Sequence, residues 1–110
     1  MTFTVIILPR AESDIARNAD WWAENRSLEQ ALEWTSAVQS KIESLSVSPA
    51  RCRLARENDQ FDCEIHQLLV GLGRHLTHRV LFTIRDSTVF VLTVRSNRQD
   101  DVESEDVEVP

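Results

Sequence analysis

The side chains in this sequence that can move a proton or grip an anion crowd into its second half. All three histidines (His66, His75, His78), both cysteines (Cys52, Cys63) and eight arginines fall between Arg51 and Arg98, against five acids, Glu57, Asp59, Asp62, Glu64 and Asp86. Histidine changes charge near neutral pH, and arginine forks onto carboxylates and phosphates. The stretch therefore suits an acidic partner or a phosphate backbone. Cysteine chemistry is disfavoured. Cys52 and Cys63 have no His or Cys at zinc-finger spacing to complete a four-ligand site, so they read as free thiols of a reducing compartment. His66, three residues after Cys63, would point to the opposite face of a strand and cannot serve it as a base. The only glycines, Gly71 and Gly73, precede strand residues rather than a helix, which makes a turn there and not a phosphate cradle. No His/Cys/Asp/Glu cluster has ligand spacing, so neither a metal nor an organic cofactor is expected.

The formal charge of −6 is unevenly placed: residues 1–99 hold twelve acids and twelve bases, and Asp100, Asp101, Glu103, Glu105, Asp106 and Glu108 supply all of the excess. Residues 1–99 are accordingly read as one domain and 100–110 as a flexible acidic tail. At 110 residues with 42% hydrophobic content the chain can bury one core. No apolar run approaches the roughly 20 residues that span a bilayer, and the start has no signal-peptide pattern, so a soluble cytoplasmic protein is expected, with no membrane partner.

The elements that must position those side chains follow from periodicity. Phe3 to Leu8 is a short apolar run closed by Pro9, one strand long. Ala11 to Asn25 carries Ile15, Ala19 and Trp22 at helical spacing, with Glu12 and Asp14 where a helix dipole favours acids. Ser27 and Gln30 form a capping-box pattern before Leu28, Ala31, Thr35, Val38, Ile42 and Leu45, which continue at spacings of three and four. Trp22 lies on the first helix's apolar stripe. Trp21 and Trp34 fall off theirs, which leaves them either flanking each other across the hairpin or exposed as an interface patch. Ser46 to Asp62 is a long polar loop bearing Arg51, Arg53 and Arg56, of a length often reserved for function.

Three strands complete the chain: Ile65 to Val70, then Arg79 to Ile84, then Val89 to Val94 after the polar break Arg85-Asp86-Ser87-Thr88. The fold class is α+β: an N-terminal strand, an αα-hairpin and a three-stranded antiparallel meander, with the helices packed on one sheet face. The first strand must pair through a long connection, at an edge or beside the last strand. The other sheet face is expected to be partly open and to carry the site.

Over residues 3–102 the chain resembles the ParE/RelE superfamily of toxins from bacterial type II toxin–antitoxin modules. The resemblance rests on the helical hairpin, the Leu45-x-x-x-Pro49 helix ending, RCRLAREN at 51–58, EIHQLLVG at 64–71, HRVLFTI at 78–84 and VFVLTVR at 89–95. It implies a growth-inhibiting toxin neutralised by a cognate antitoxin, acting either on DNA gyrase in the manner of ParE or on ribosome-bound mRNA in the manner of RelE. The second activity would make it a metal-independent endoribonuclease. Fold alone does not choose between them.

Residue by residue, the resemblance implies that Arg79 is a phosphate clamp on the third strand and that Arg95 and Arg98 form the basic cluster after the last. Relatives carry arginine in place of His66, histidine in place of Ser96, and in some nucleases tyrosine near the position of Glu103; this chain has no tyrosine. A nuclease would have to recruit His66, His75 or His78 as acid and base. The expected catalytic set is thus Arg79, Arg98, His66 and His78, with Arg51, Arg53, Arg56, Arg74 and Arg95 as binding cations. The thin acid–base set favours the gyrase branch. A degenerate member that only binds an antitoxin or acts as a co-repressor is the second reading. The acidic tail is read as support for that second reading, as a self-inhibiting mimic of the antitoxin, or as plain solvation.

Overall fold

The computed structural model describes residues 2–99 and 101–110; Asp100, first acid of the tail, lies outside the described residues. Strand β1 (Thr4–Ile7) runs directly into α1 (Pro9–Asn25), and α2 (Leu28–Glu43) leads through short 3-10 turns to β2 (His66–Leu72), β3 (His75–Arg85) and β4 (Thr88–Ser96). The sheet order is β1-β4-β3-β2. β1 lies at the edge beside the last strand and parallel to it, from Thr4 opposite Thr88 to Ile7 opposite Val91, as a strand reached through a helical crossover can be.

Pro9 starts α1 as well as ending the strand, because the first helical position needs no amide donor and favours proline's φ. At the corner between the helices the Arg26 amide donates to Trp22 O at 2.9 Å, and the Gln30 amide donates to Ser27 Oγ at 3.1 Å, the cap expected from sequence. The buried stripe of α2 is Ala31, Trp34, Val38 and Ile42, continued by Leu45. It is rotated from the sequence expectation, for Leu28 is 68% exposed while Trp34 is fully buried. A tryptophan buries on the order of 200 Å². The face that puts Trp34 between α1 and the sheet removes more apolar area from water than one centred on Leu28.

β3 sends Val80 and Phe82 into the helix-side cluster and Leu81 into the opposite one. In β4 the pairing slips between Leu81, opposite Thr93, and Phe82, opposite Val91. This bulge leaves Val91 and Val94 both on the helix side and Leu92 on the other. β1 stops pairing at Val91, so the following edge of β4 has no strand beside it. Side chains close it instead: Asp14 accepts from the Val94 amide at 3.1 Å and from the Thr93 hydroxyl, and Gln99 Oε1 accepts from the Ser96 amide at 2.7 Å. An edge satisfied this way offers no template for another strand.

The face expected to be partly open is covered. Ala55, Ile65, Leu81, Leu92, Val102 and Val107 form a second buried cluster, flanked by Phe61, Phe90 and Val109. The loop before β2 and the acidic segment after β4 both lie on the sheet. From Asp101 on, the tail's acids stay exposed while its valines turn inward, an arrangement that net charge hides and a count of its apolar residues reveals.

Both glycines serve the β2–β3 turn. Gly73 has φ +54, and a Cβ on Gly71 would lie 1.9 Å from the His75 carbonyl oxygen, so each position excludes side chains for its own reason.

Candidate functional site

Arg79 is positioned by β3 toward the covered face, where it is 3% exposed. Its Nη1 donates to Glu57 Oε1 at 2.9 Å and its Nη2 to Glu57 Oε2 at 2.6 Å, a bidentate fork, while Nη1 also donates to Gln67 Oε1 at 3.1 Å. Glu57 is fully buried and accepts from the Val102 amide at 3.1 Å. Burial by itself would push the Glu57 carboxyl up; the Arg79 hydrogen bonds, the Val102 amide and the Arg79 charge outweigh it and bring the pKa down to about 2. The expected phosphate clamp is therefore a buried ion pair that fastens the loop and the tail to the sheet. Its carboxylate is Glu57, from the loop before β2.

His78 alternates to the other face. Its Nδ1 is 2.8 Å from Thr77 Oγ1, its Nε2 is 3.0 Å from Asn18 Oδ1, and its ring stands edge-on to Trp34 at 5.0 Å. Burial lowers its pKa, which favours a neutral ring with both nitrogens engaged. His66 stacks on Phe82 at 5.4 Å and contacts Cys52 O through Nδ1 at 2.8 Å, again on the helix side. His75 is exposed at the start of β3. The sheet thus separates Arg79 from His66 and His78, and no single concavity gathers the expected catalytic set.

The remaining arginines divide by partner. Arg51 donates to Val47 O at 2.7 Å, Ser48 O at 3.1 Å and Ser44 Oγ at 3.1 Å, holding the turn that follows the 3-10 extension of α2. Arg56 pairs with Asp101 of the tail. Arg53 and Arg74 are exposed on the loop and the β2–β3 turn. Arg95, half-buried and opposite Arg79 in the ladder, lines a cleft of about 240 Å³ with Arg10, Asp14 and Gln99. Arg98 is not beside Arg79. It lines a cleft of about 580 Å³ whose walls include Trp21, Trp22, Arg26, Leu76, Thr77 and His78.

Sequence reasoning missed Glu57 and Asp14. Both are acids buried against partners distant in the chain: Asp14 gathers Arg10 and Arg17 from its own helix and the Thr93–Val94 bulge from β4. The available signal for Asp14 was an acid one position before Ile15 on the buried side of α1; Glu57 carried none, since its neighbours form a polar loop. Among the described residues no group of three His, Cys, Asp or Glu could hold a metal ion, and no helix is long and apolar enough to cross a membrane.

The family model of the ParE toxin of the type II toxin–antitoxin system parDE matches residues 5–101. Among solved structures the chain is similar to the chromosomal ParDE toxin–antitoxin system from P. aeruginosa, at TM-score 0.71 and 12% identity over 86% of this chain and 96% of that one. It is also similar to an arginine-substituted mutant of the E. coli toxin RelE in the free state, at TM-score 0.55 and 15% identity over 89% and 86%. No curated protein matches the sequence. At those identities the structures speak to the fold, and it is the family match across almost the whole strand-helix-helix-meander unit that decides membership: the chain belongs to the ParE toxin family of type II toxin–antitoxin systems.

Proposed function

We propose that this protein arrests bacterial growth through DNA gyrase, not by cutting ribosome-bound mRNA, and that a cognate antitoxin neutralises it. The observation that carries the choice of target is the separation of the expected acid–base groups. Cleavage of RNA by its 2′-hydroxyl needs a base, an acid and a cation converging within hydrogen-bond reach of one phosphate. Here Arg79 is sequestered by Glu57 on one face, while His66 and His78 are buried on the other. ParE-like inhibition requires a binding surface and no such convergence.

Induced expression is expected to stop growth, with rescue by the small gene encoded alongside. The purified protein should inhibit supercoiling, and transcript ends should be unchanged after induction. Clean cuts within codons, lost in a folded Arg79→Ala variant, would overturn the choice of target. A second reading, a binding-only member that acts as a co-repressor, is favoured by the tail lying over the sheet face; unimpeded growth with folded protein present would select it.

A further inference from the structure

The cleft between α1 and the strand ends combines cations with exposed apolar side chains. Among the described residues no acid lines it, in a chain with eighteen acids against twelve lysines and arginines. Arg26 and Arg98 sit there with no ion pair or hydrogen bond from either guanidinium among the described residues, although Arg10, Arg17, Arg56 and Arg79 all have carboxylate partners. Between them lies apolar ground. Trp21 is 49% exposed and held edge-on by Trp22 at 5.6 Å, and Leu76 is 40% exposed. The walls are braced: the Asn97 side chain donates to Leu76 O at 2.8 Å, and His78 is fixed between Thr77 and Asn18. About 580 Å³ is room for a few side chains.

From these features we infer that the cleft docks an acidic segment of the antitoxin, one apolar side chain seated on Trp21 and Leu76 and flanking carboxylates on Arg26 and Arg98. The inference rests on the proposed antitoxin-bound toxin and adds where, and by what chemistry, the partner is held. A peptide carrying two carboxylates matches the two arginines one for one. A nucleic-acid strand would bring a charge with every nucleotide toward a chain of net charge −6 and would meet only two cations. Its bases would also find an aliphatic wall at Leu76 where a second ring would be wanted for stacking. From Asp101 on, the protein's own acidic tail lies elsewhere, on the far sheet face, and leaves this cleft free. Exposed aromatic and arginine anchors around a small concavity are the usual composition of an energetic centre in a protein interface.

The test uses the full chain and the purified product of the neighbouring small gene, with affinity measured by calorimetry at several salt concentrations. Trp21→Ala should weaken binding at least about tenfold and leave its salt dependence intact. Arg26→Gln with Arg98→Gln should weaken it by a similar factor and flatten the salt dependence. All three side chains are exposed or half-exposed, and circular dichroism melts would confirm that each variant is folded; should Trp21→Ala fail to fold, the arginine pair decides alone. Wild-type binding that both variants preserve within twofold overturns the docking site and leaves the toxin–antitoxin reading standing. Absence of wild-type binding overturns both.

Discussion

Replacing Glu57 by glutamine keeps the shape of the side chain and removes its charge, so it isolates the ion pair with Arg79. Glu57 is fully buried and held at about 2 against an ordinary 4.5. At about 1.4 kcal/mol per pKa unit, the folded protein prefers the ionised carboxylate by about 3 kcal/mol relative to the unfolded chain. Glu57→Gln should therefore cost about 3 kcal/mol, since it leaves a buried guanidinium without its counter-charge. In a domain of this size that loss lowers the melting temperature by roughly 10–20 °C, and urea unfolding would read it as a lower midpoint at unchanged slope.

The pH dependence has a fixed sign. Because the folded pKa is depressed, the contribution is complete above about pH 4.5 and is lost as pH falls toward about 2. Glu57→Gln should lack that acid-side decline. Glu57→Leu combined with Arg79→Met should recover most of the stability, because an apolar pair carries no desolvation penalty. If this double variant still arrests growth, Arg79 acts in the fold and not in chemistry. A Glu57→Gln protein within about 0.5 kcal/mol of wild type, or an Arg79→Ala protein of native stability without toxicity, would refute the reasoning.

Other perturbations test the remaining parts. Gly71→Ala should disrupt the β2–β3 turn, since its Cβ would collide with the His75 carbonyl, whereas Gly73→Ala, with open space but φ +54, should cost only about 1–2 kcal/mol; equal urea midpoints for the two would contradict the geometry. His78 is pushed below its usual 6.5 by burial, so the unfolded chain takes up a proton first and stability should decline as pH drops below that value. His78→Leu should abolish this part of the slope in urea titrations at pH 7 and pH 5.5. Val107→Asp would bury a charge against the second cluster, and hydrogen exchange in the segment after Asp101 should then quicken; unchanged exchange would mean the valines do not hold it down. Asp14→Ala strips the Val94 amide and Thr93 hydroxyl of their acceptor and should destabilise by about 1–3 kcal/mol by chemical denaturation.

Local pattern was enough for the element types, the Ser27 cap, the glycine turn, the hairpin break at Asp86 and the placing of both helices on one face, because each depends on neighbours three or four positions away. The parallel pairing of β1 was legible only as a choice between an edge and the side of the last strand. What tertiary structure alone decided was the fate of the charged groups. Glu57 lies 22 positions before Arg79, and Asp14 79 before Thr93; no periodicity joins such residues, since the energy that pairs them appears only once packing has removed water from both. For the same reason an arginine on the third strand announces a site in sequence and a structural fastening in the fold. The alternation of β3 sends His78 and Arg79 to opposite faces whatever surrounds them, but only the docked tail determines that the Arg79 face is closed.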